Sequence, residues 1–152
     1  MPDTNEFVIP WDESLNTGIH WIDEQHQQML KHIEEMLNAL VDRRCGEKVK
    51  PLITFLSDYV RNHFNTEQSY MLRYNYPRYL IHLLQHKDFL KKLKIKEERY
   101  ARHGASRELA LEIEKDLWEW YKTHICKFDK DFSMFLRKNE TSEQPPETSS
   151  SQ

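Results

Sequence analysis

The sequence predicts an all-α protein: an antiparallel up-down four-helix bundle with an extended N-terminal arm and a disordered C-terminal tail. Three observations carry this reading. Only three Gly and six Pro occur in 152 residues, too few for a turn-rich β fold. These breakers leave four uninterrupted segments, 19–45, 52–76, 78–103 and 105–138, each long enough for six or more turns at about 3.6 residues per turn. Within each segment apolar residues recur at steps of three and four, the period of a half-buried helix rather than a strand. Long helices joined by short connections pack as antiparallel neighbours.

The elements follow in order. Met1 to Glu6 is polar, and Phe7-Val8-Ile9-Pro10-Trp11 is expected to lie extended against the bundle, with Trp11 and Trp21 packing the arm onto it. The first helix carries Ile22, Met29, Ile33, Met36, Leu37, Leu40 and Val41 on one stripe, with His26 inside it. Gly46 and Pro51 bracket a gap. The second helix shows Leu52, Phe55, Leu56, Tyr59 and Val60, then His63 and Glu67. After Pro77 the third runs Tyr79, His82, Leu83, His86, Phe89, Leu90 and Leu93. After Gly104 the fourth runs Leu109, Ile113, Leu117, Trp120, His124, Phe128, Phe132 and Phe135. Residues 139–152 (NETSEQPPETSSSQ) hold no aliphatic or aromatic side chain. Such a segment buries too little to offset its ordering entropy, so it reads as a disordered polar tail beside a single domain at 1–138.

Composition narrows the function. Lys and Arg number 22 against 25 Asp and Glu, a formal net charge of −3, which disfavours a broad grip on nucleic acid or anionic lipid. No apolar run is long enough to span a bilayer, and no secretory signal is visible at the start, so the expected location is cytoplasmic. Cys45 and Cys126 form no disulfide framework. Lys87, Lys91, Lys92, Lys94, Lys96, Arg99 and Arg102 crowd the third helix and read as a solvated face. His20, His32 and His103 read as surface residues.

The anomaly is that each stripe places ionisable residues where a plain core would hold Leu. His63 and Glu67, and likewise His82 and His86, are spaced i,i+4, which puts each pair on one helix face about 5–6 Å apart. His124 and Asp129 are separated by five, about 140° beyond a full turn. Both face inward only if the helix ends or carries a π-bulge near 125–128, a distortion common at functional sites. Burying five imidazoles and two carboxylates uncompensated costs about 1–3 kcal/mol each, more than a domain stable by about 5–15 kcal/mol absorbs. A metal removes that deficit. Two octahedral metals, ligated by five imidazoles, two bridging carboxylates and one shared oxygen, keep a single position open. Nitrogen and oxygen donors without thiolate suit iron, whereas a lone zinc needs only four ligands.

On these residues the chain resembles the hemerythrins, in their single-domain bacterial form. The carrying motifs are Ile22-Asp23-Glu24-Gln25-His26, the HFxxE segment His63–Glu67, the HxxxH segment His82–His86, the HIxxxD segment His124–Asp129, and Trp120 four residues before His124. They span roughly residues 7–136. The resemblance implies two iron ions (Fe2+/Fe3+) with a bridging oxo or hydroxo group. It implies His82, His86 and His124 on one iron, His26 and His63 on the other, which keeps the open position, and Glu67 and Asp129 between them. The family's ligand pocket falls on Met29, Phe64, Trp120 and Ile125. Two positions depart from the family pattern: Gln68 stands where another acid is common, and Tyr121 stands where Leu is common, which adds a hydroxyl to the expected pocket.

The function implied is reversible dioxygen binding, as carrier, store or scavenger, by a protein that is not an enzyme. The partner is O2, with an oxygen-consuming enzyme as a further partner; oligomeric state stays open. Oxygen or redox sensing, a di-iron oxidase or peroxidase, and nitric oxide or iron handling are the alternatives at the same site. Ferritin-like di-iron proteins use Glu-x-x-His pairs, and no Glu-x-x-His occurs in this sequence.

Overall fold

The computed structural model describes residues 6–139. Four helical runs form: α1 at His20–Val41, α2 at Gly46–Arg73, α3 at Tyr79–His103, and α4, which continues through Arg107–Ile113, Glu114–Trp118, Glu119–His124, Ile125–Asp129 and Lys130–Asn139. No strand occurs among the described residues. Sequential helices pack side by side, and α1 also packs on α4, which closes an up-down bundle. The tail expected at 139–152 lies outside the described residues except Asn139, which ends α4.

Local chemistry explains the ends. At Gly18 the backbone takes φ +92°, and a Cβ there would collide with the Arg137 guanidinium. The Asp23 carboxylate accepts from the Thr17 amide and hydroxyl at 2.8 Å each, tying this entry turn to α1. Asp42 accepts from the Arg44 amide and opens the short turn Arg43–Cys45. Gly104, at φ 78°, stops α3 because a left-handed residue closes a helix without a Cβ penalty. Ser106 accepts from the Leu109 amide at 3.0 Å and starts α4, a standard N-cap.

The arm behaves as expected. Phe7 and Ile9 are buried and Val8 is exposed. Asn38 on α1 accepts from the Phe7 amide and donates to its carbonyl, both at 2.9 Å, and the Glu34 carboxylate accepts from the Ile9 amide. Trp11 packs partly on the main core.

Other details differ from the sequence reading. Trp21 does not hold the arm; it packs on Tyr70 at 5.1 Å, in a second cluster separate from the main core. The gap between Gly46 and Pro51 is the start of α2, with exposed Pro51 inside the helix, where its missing N–H costs one bond to the Glu47 carbonyl. The buried line of α2 is Val49, Ile53, Leu56 and Val60, and Phe55 is 50% exposed. His32 is half-buried against Phe55 and Tyr59 rather than on the surface. Lys96 leaves the solvated lysine face: it is buried, with Nζ 2.6 Å from the Asp116 carboxylate.

The core is split in two. A large apolar cluster runs from Met29 to Leu40 on α1, Val49 to Phe64 on α2, Phe89 and Leu93 on α3, and Leu109 to Ile125 on α4. A smaller one gathers Trp21, Ile22, Tyr70, Met71, Tyr76, Phe132 and Leu136. Between them, at one level on all four helices, lies a belt of ionisable side chains.

Candidate metal centre

Each helix sends donors into that belt for a local reason. On α1, His26 sits between Ile22 and Met29, one turn from each, so it shares their inward face. The i,i+4 spacing aligns His63 with Glu67 on α2 and His82 with His86 on α3. On α4, residues Ile125–Asp129 form a π turn. Its wider winding absorbs the odd spacing and turns both His124 and Asp129 inward. A second π turn at Glu114–Trp118 was not anticipated; no unusual spacing of polar residues announces it.

All seven predicted donors come together, each 0–2% exposed. Their ligating atoms fall into two groups within 4.8 Å: His82, His86 and His124 with Glu67 and Asp129, and His26 and His63 with the same two carboxylates. The oxygens divide between the groups. Glu67 Oε1 lies 3.2 Å from His86 Nε2 and 3.5 Å from His82 Nε2, while Oε2 lies 3.2 Å from His63 Nε2 and 3.9 Å from His26 Nε2. Asp129 Oδ1 lies 3.0 Å from His82 Nε2 and 3.2 Å from His124 Nε2, while Oδ2 lies 3.0 Å from His26 Nε2. Each carboxylate thus offers one oxygen to each group.

None of these atoms has a hydrogen-bond partner: the five Nε2 nitrogens and the four carboxylate oxygens are buried and unpaired. Buried polar atoms in folded proteins are otherwise nearly always satisfied. Nine orphaned donors at close range, all nitrogen or oxygen, fit a non-heme iron site and leave no role for thiolate.

Two supporting contacts escaped the sequence reading. The Gln25 side-chain oxygen Oε1 lies 2.6 Å from His63 Nδ1, and Oε1 of Gln68 lies 2.8 Å from His86 Nδ1. An Nδ1–H donated to each glutamine fixes the tautomer and frees Nε2 for a metal. Their signal was adjacency: Gln25 precedes His26 and Gln68 follows Glu67. Neighbours on one helix point about 100° apart, so nothing in the spacing says which imidazole each would meet.

Aromatic rings wall the belt. Phe64 stacks on His86 at 3.7 Å and 4°, and Trp120 stacks on His124 at 4.7 Å and 12°. Of the expected pocket residues, Met29, Phe64, Tyr121 and Ile125 are buried. Trp120 is half-buried, and its indole N–H donates to Asp88 at 3.1 Å.

Charge is arranged for cation binding. Burial opposes ionisation of Glu67 and Asp129, yet the surrounding imidazoles outweigh it and hold both carboxyls well below the usual range. Burial, helped by the neighbouring His82 and His124, pushes His86 down to about 4 against the pull of Glu67, so it is neutral and ready to ligate. For His82 burial acts downward too, but the Asp129 and Glu67 carboxylates prevail and raise it to about 9. A metal must displace that proton. Loading at pH 7 is therefore expected to release protons, and apparent metal affinity is expected to rise with pH up to about 9. Metal titration in weakly buffered dye solution measures this, and loading at pH 7 without proton release contradicts it.

Comparison with known proteins agrees with this geometry. A family model described as the hemerythrin HHE cation binding domain matches residues 17–136. A bacteriohemerythrin of Pseudomonas paraeruginosa is 31% identical over 127 residues, 82% of this chain and 78% of that protein. One of Stenotrophomonas maltophilia is 27% identical over 129 residues, 83% of this chain and 80% of that protein. One of Clostridium acetobutylicum is 28% identical over 133 residues, 82% of this chain and 98% of that protein.

Proposed function

The chain belongs to the hemerythrin family, and we propose that it binds dioxygen reversibly at a non-heme di-iron centre, as a carrier, store or scavenger rather than an enzyme. His82, His86 and His124 would hold one iron and His26 and His63 the other, with Glu67, Asp129 and an oxo or hydroxo group between them. The observation that carries this reading is the unequal division of donors: two carboxylates shared by a three-histidine and a two-histidine group. With equal coordination numbers, the position that His26 and His63 would hold is the one that would keep room for a ligand.

When bound, the iron pair supplies the electrons that dioxygen takes up and recovers them on release. The chain's own residues do the rest. The two carboxylates and five imidazoles fix the metals, and Gln25 and Gln68 orient His63 and His86. Met29, Phe64, Trp120, Tyr121 and Ile125 line the ligand pocket in this reading, and their apolar surface keeps out the water that promotes irreversible oxidation. No described helix is long and apolar enough to cross a membrane, in keeping with the cytoplasmic location we propose.

The test is optical. Iron-loaded protein, reduced without oxygen and then exposed to air, is expected to develop a visible absorption band that disappears under vacuum and returns with air. Immediate conversion to the oxidised form with release of hydrogen peroxide would favour the oxidase alternative instead. His63→Ala removes a donor from the two-histidine group and should abolish the stable band; dioxygen binding equal to the parent protein contradicts the assignment.

A further inference from the structure

Tyr121 is the largest wholly buried side chain of the described residues, at 0% exposure. Its hydroxyl is buried and has no hydrogen-bond partner. The ring stands against both halves of the centre, edge-on to His26 at 5.6 Å and at 6.1 Å from His124, nearer the half with fewer donors. Around it pack the rings of Phe64, Phe89 and Trp120, none of which offers an accepting oxygen. Buried hydroxyls left unpaired are rare, and a Leu or Phe would fill this space without the penalty. A phenol is protonated at neutral pH and serves as a donor. The nearby oxygens of Asp129, Glu67 and Tyr59 act on it electrostatically, but none is hydrogen-bonded to it; a ligand at the open position would supply the missing acceptor.

We propose that the Tyr121 hydroxyl donates a hydrogen bond to the outer atom of a small ligand held at the open position of the two-histidine group. It thereby selects ligands that carry a lone pair or negative charge on that atom. The inference rests on the reading of the centre as two irons with one vacancy. Tyr121 adds selectivity to the apolar pocket: such ligands are held longer, and ligands whose outer atom accepts poorly gain nothing.

Azide binding to the oxidised, iron-loaded protein tests this, with Tyr121→Phe as the variant, since Phe keeps the ring and removes only the oxygen. Azide carries negative charge on its terminal nitrogen. A hydrogen bond to a charged acceptor corresponds to about ten- to a hundredfold in affinity, so Y121F is expected to bind azide that much more weakly at unchanged iron content. The metal-free protein supplies an independent reading: without a ligand the hydroxyl has nothing to bond, so Y121F is expected to melt at the same temperature as the parent or higher. Equal azide affinity in Y121F overturns the proposal. So does a lower melting temperature of metal-free Y121F, which would mean the oxygen is bonded within the fold. So does an intense visible band in the ligand-free oxidised parent that Y121F lacks, since Tyr121 would then be an iron ligand. Failure of the parent itself to take up azide overturns the vacancy beneath the proposal, an outcome separate from the others because it does not depend on the variant.

Discussion

Asp129→Ala is expected to empty both metal positions, not one. Asp129 sends Oδ1 toward His82 and His124 at 3.0 and 3.2 Å and Oδ2 toward His26 at 3.0 Å. Removing it takes a ligand from each group and half the negative charge that faces the metals. The remaining donors are five neutral imidazoles and Glu67, too little charge to hold two divalent ions side by side. His63 differs, because it belongs to one group alone. Iron per chain in Asp129→Ala should therefore fall well below one, while His63→Ala should retain about one. Asp129→Asn, which keeps the shape and one oxygen but loses the charge, should fall between them. Far-ultraviolet circular dichroism reports whether each variant keeps its helices. Two irons per chain in a folded Asp129→Ala would remove the shared-carboxylate assignment.

The bundle was legible because its helices are amphipathic and its breakers sparse. Ile22, Met29, Ile33 and Leu37 declare one face of α1 without help from the rest of the chain. The donors were legible for the same reason, since His63 with Glu67 and His82 with His86 obey helical spacing. The odd interval between His124 and Asp129, which an ideal helix could not turn inward together, leaves a helix end or a π-bulge, and the π turn at Ile125–Asp129 is the one that forms. What spacing does not carry is the identity of the neighbouring helix. Gln25 and Gln68 reach imidazoles 38 and 18 residues away in sequence, a relation set by how the helices are rotated against each other. Phe55 and Trp21 were misplaced for the same reason. Periodicity names a stripe, but tertiary packing decides which edge of it meets solvent and which end of the bundle an aromatic joins. Pro51 shows the limit of a local rule: a single lost backbone bond on an exposed turn does not break a helix that buries Val49, Ile53 and Leu56.

Stripping the iron with a chelator is expected to lower the melting temperature by about 8–16 °C for one ion and more for two. A ligand present at about a thousand times its dissociation constant stabilises the folded state by about 4 kcal/mol, and in a domain of this size each kcal/mol is worth about 2–4 °C. The belt gives the physical reason. Without metal, its buried nitrogens and oxygens have only each other, in contacts that lack hydrogen-bond geometry. The pH dependence should separate the two forms. In the metal-free protein, His82 is raised to about 9; its contribution is fully present below the ordinary imidazole value of about 6.5 and is lost as pH rises through about 9. The depressed carboxyls of Glu67 and Asp129 contribute above their ordinary value of about 4, and that contribution is lost as pH falls. His86, held down to about 4, acts the opposite way and costs stability as pH falls below about 6.5, so the metal-free protein should be most stable near pH 6.5 and weaken both toward pH 9 and toward pH 4. The iron form should stay level from about pH 6.5 to 9, because the gain in metal affinity as His82 loses its proton offsets the fall of the metal-free protein. Melting curves at pH 6 and pH 9, with and without iron, give four temperatures. A metal-free form that melts as high as the loaded one at both values would mean the belt satisfies itself, and the case for iron drawn from its orphaned atoms would fall.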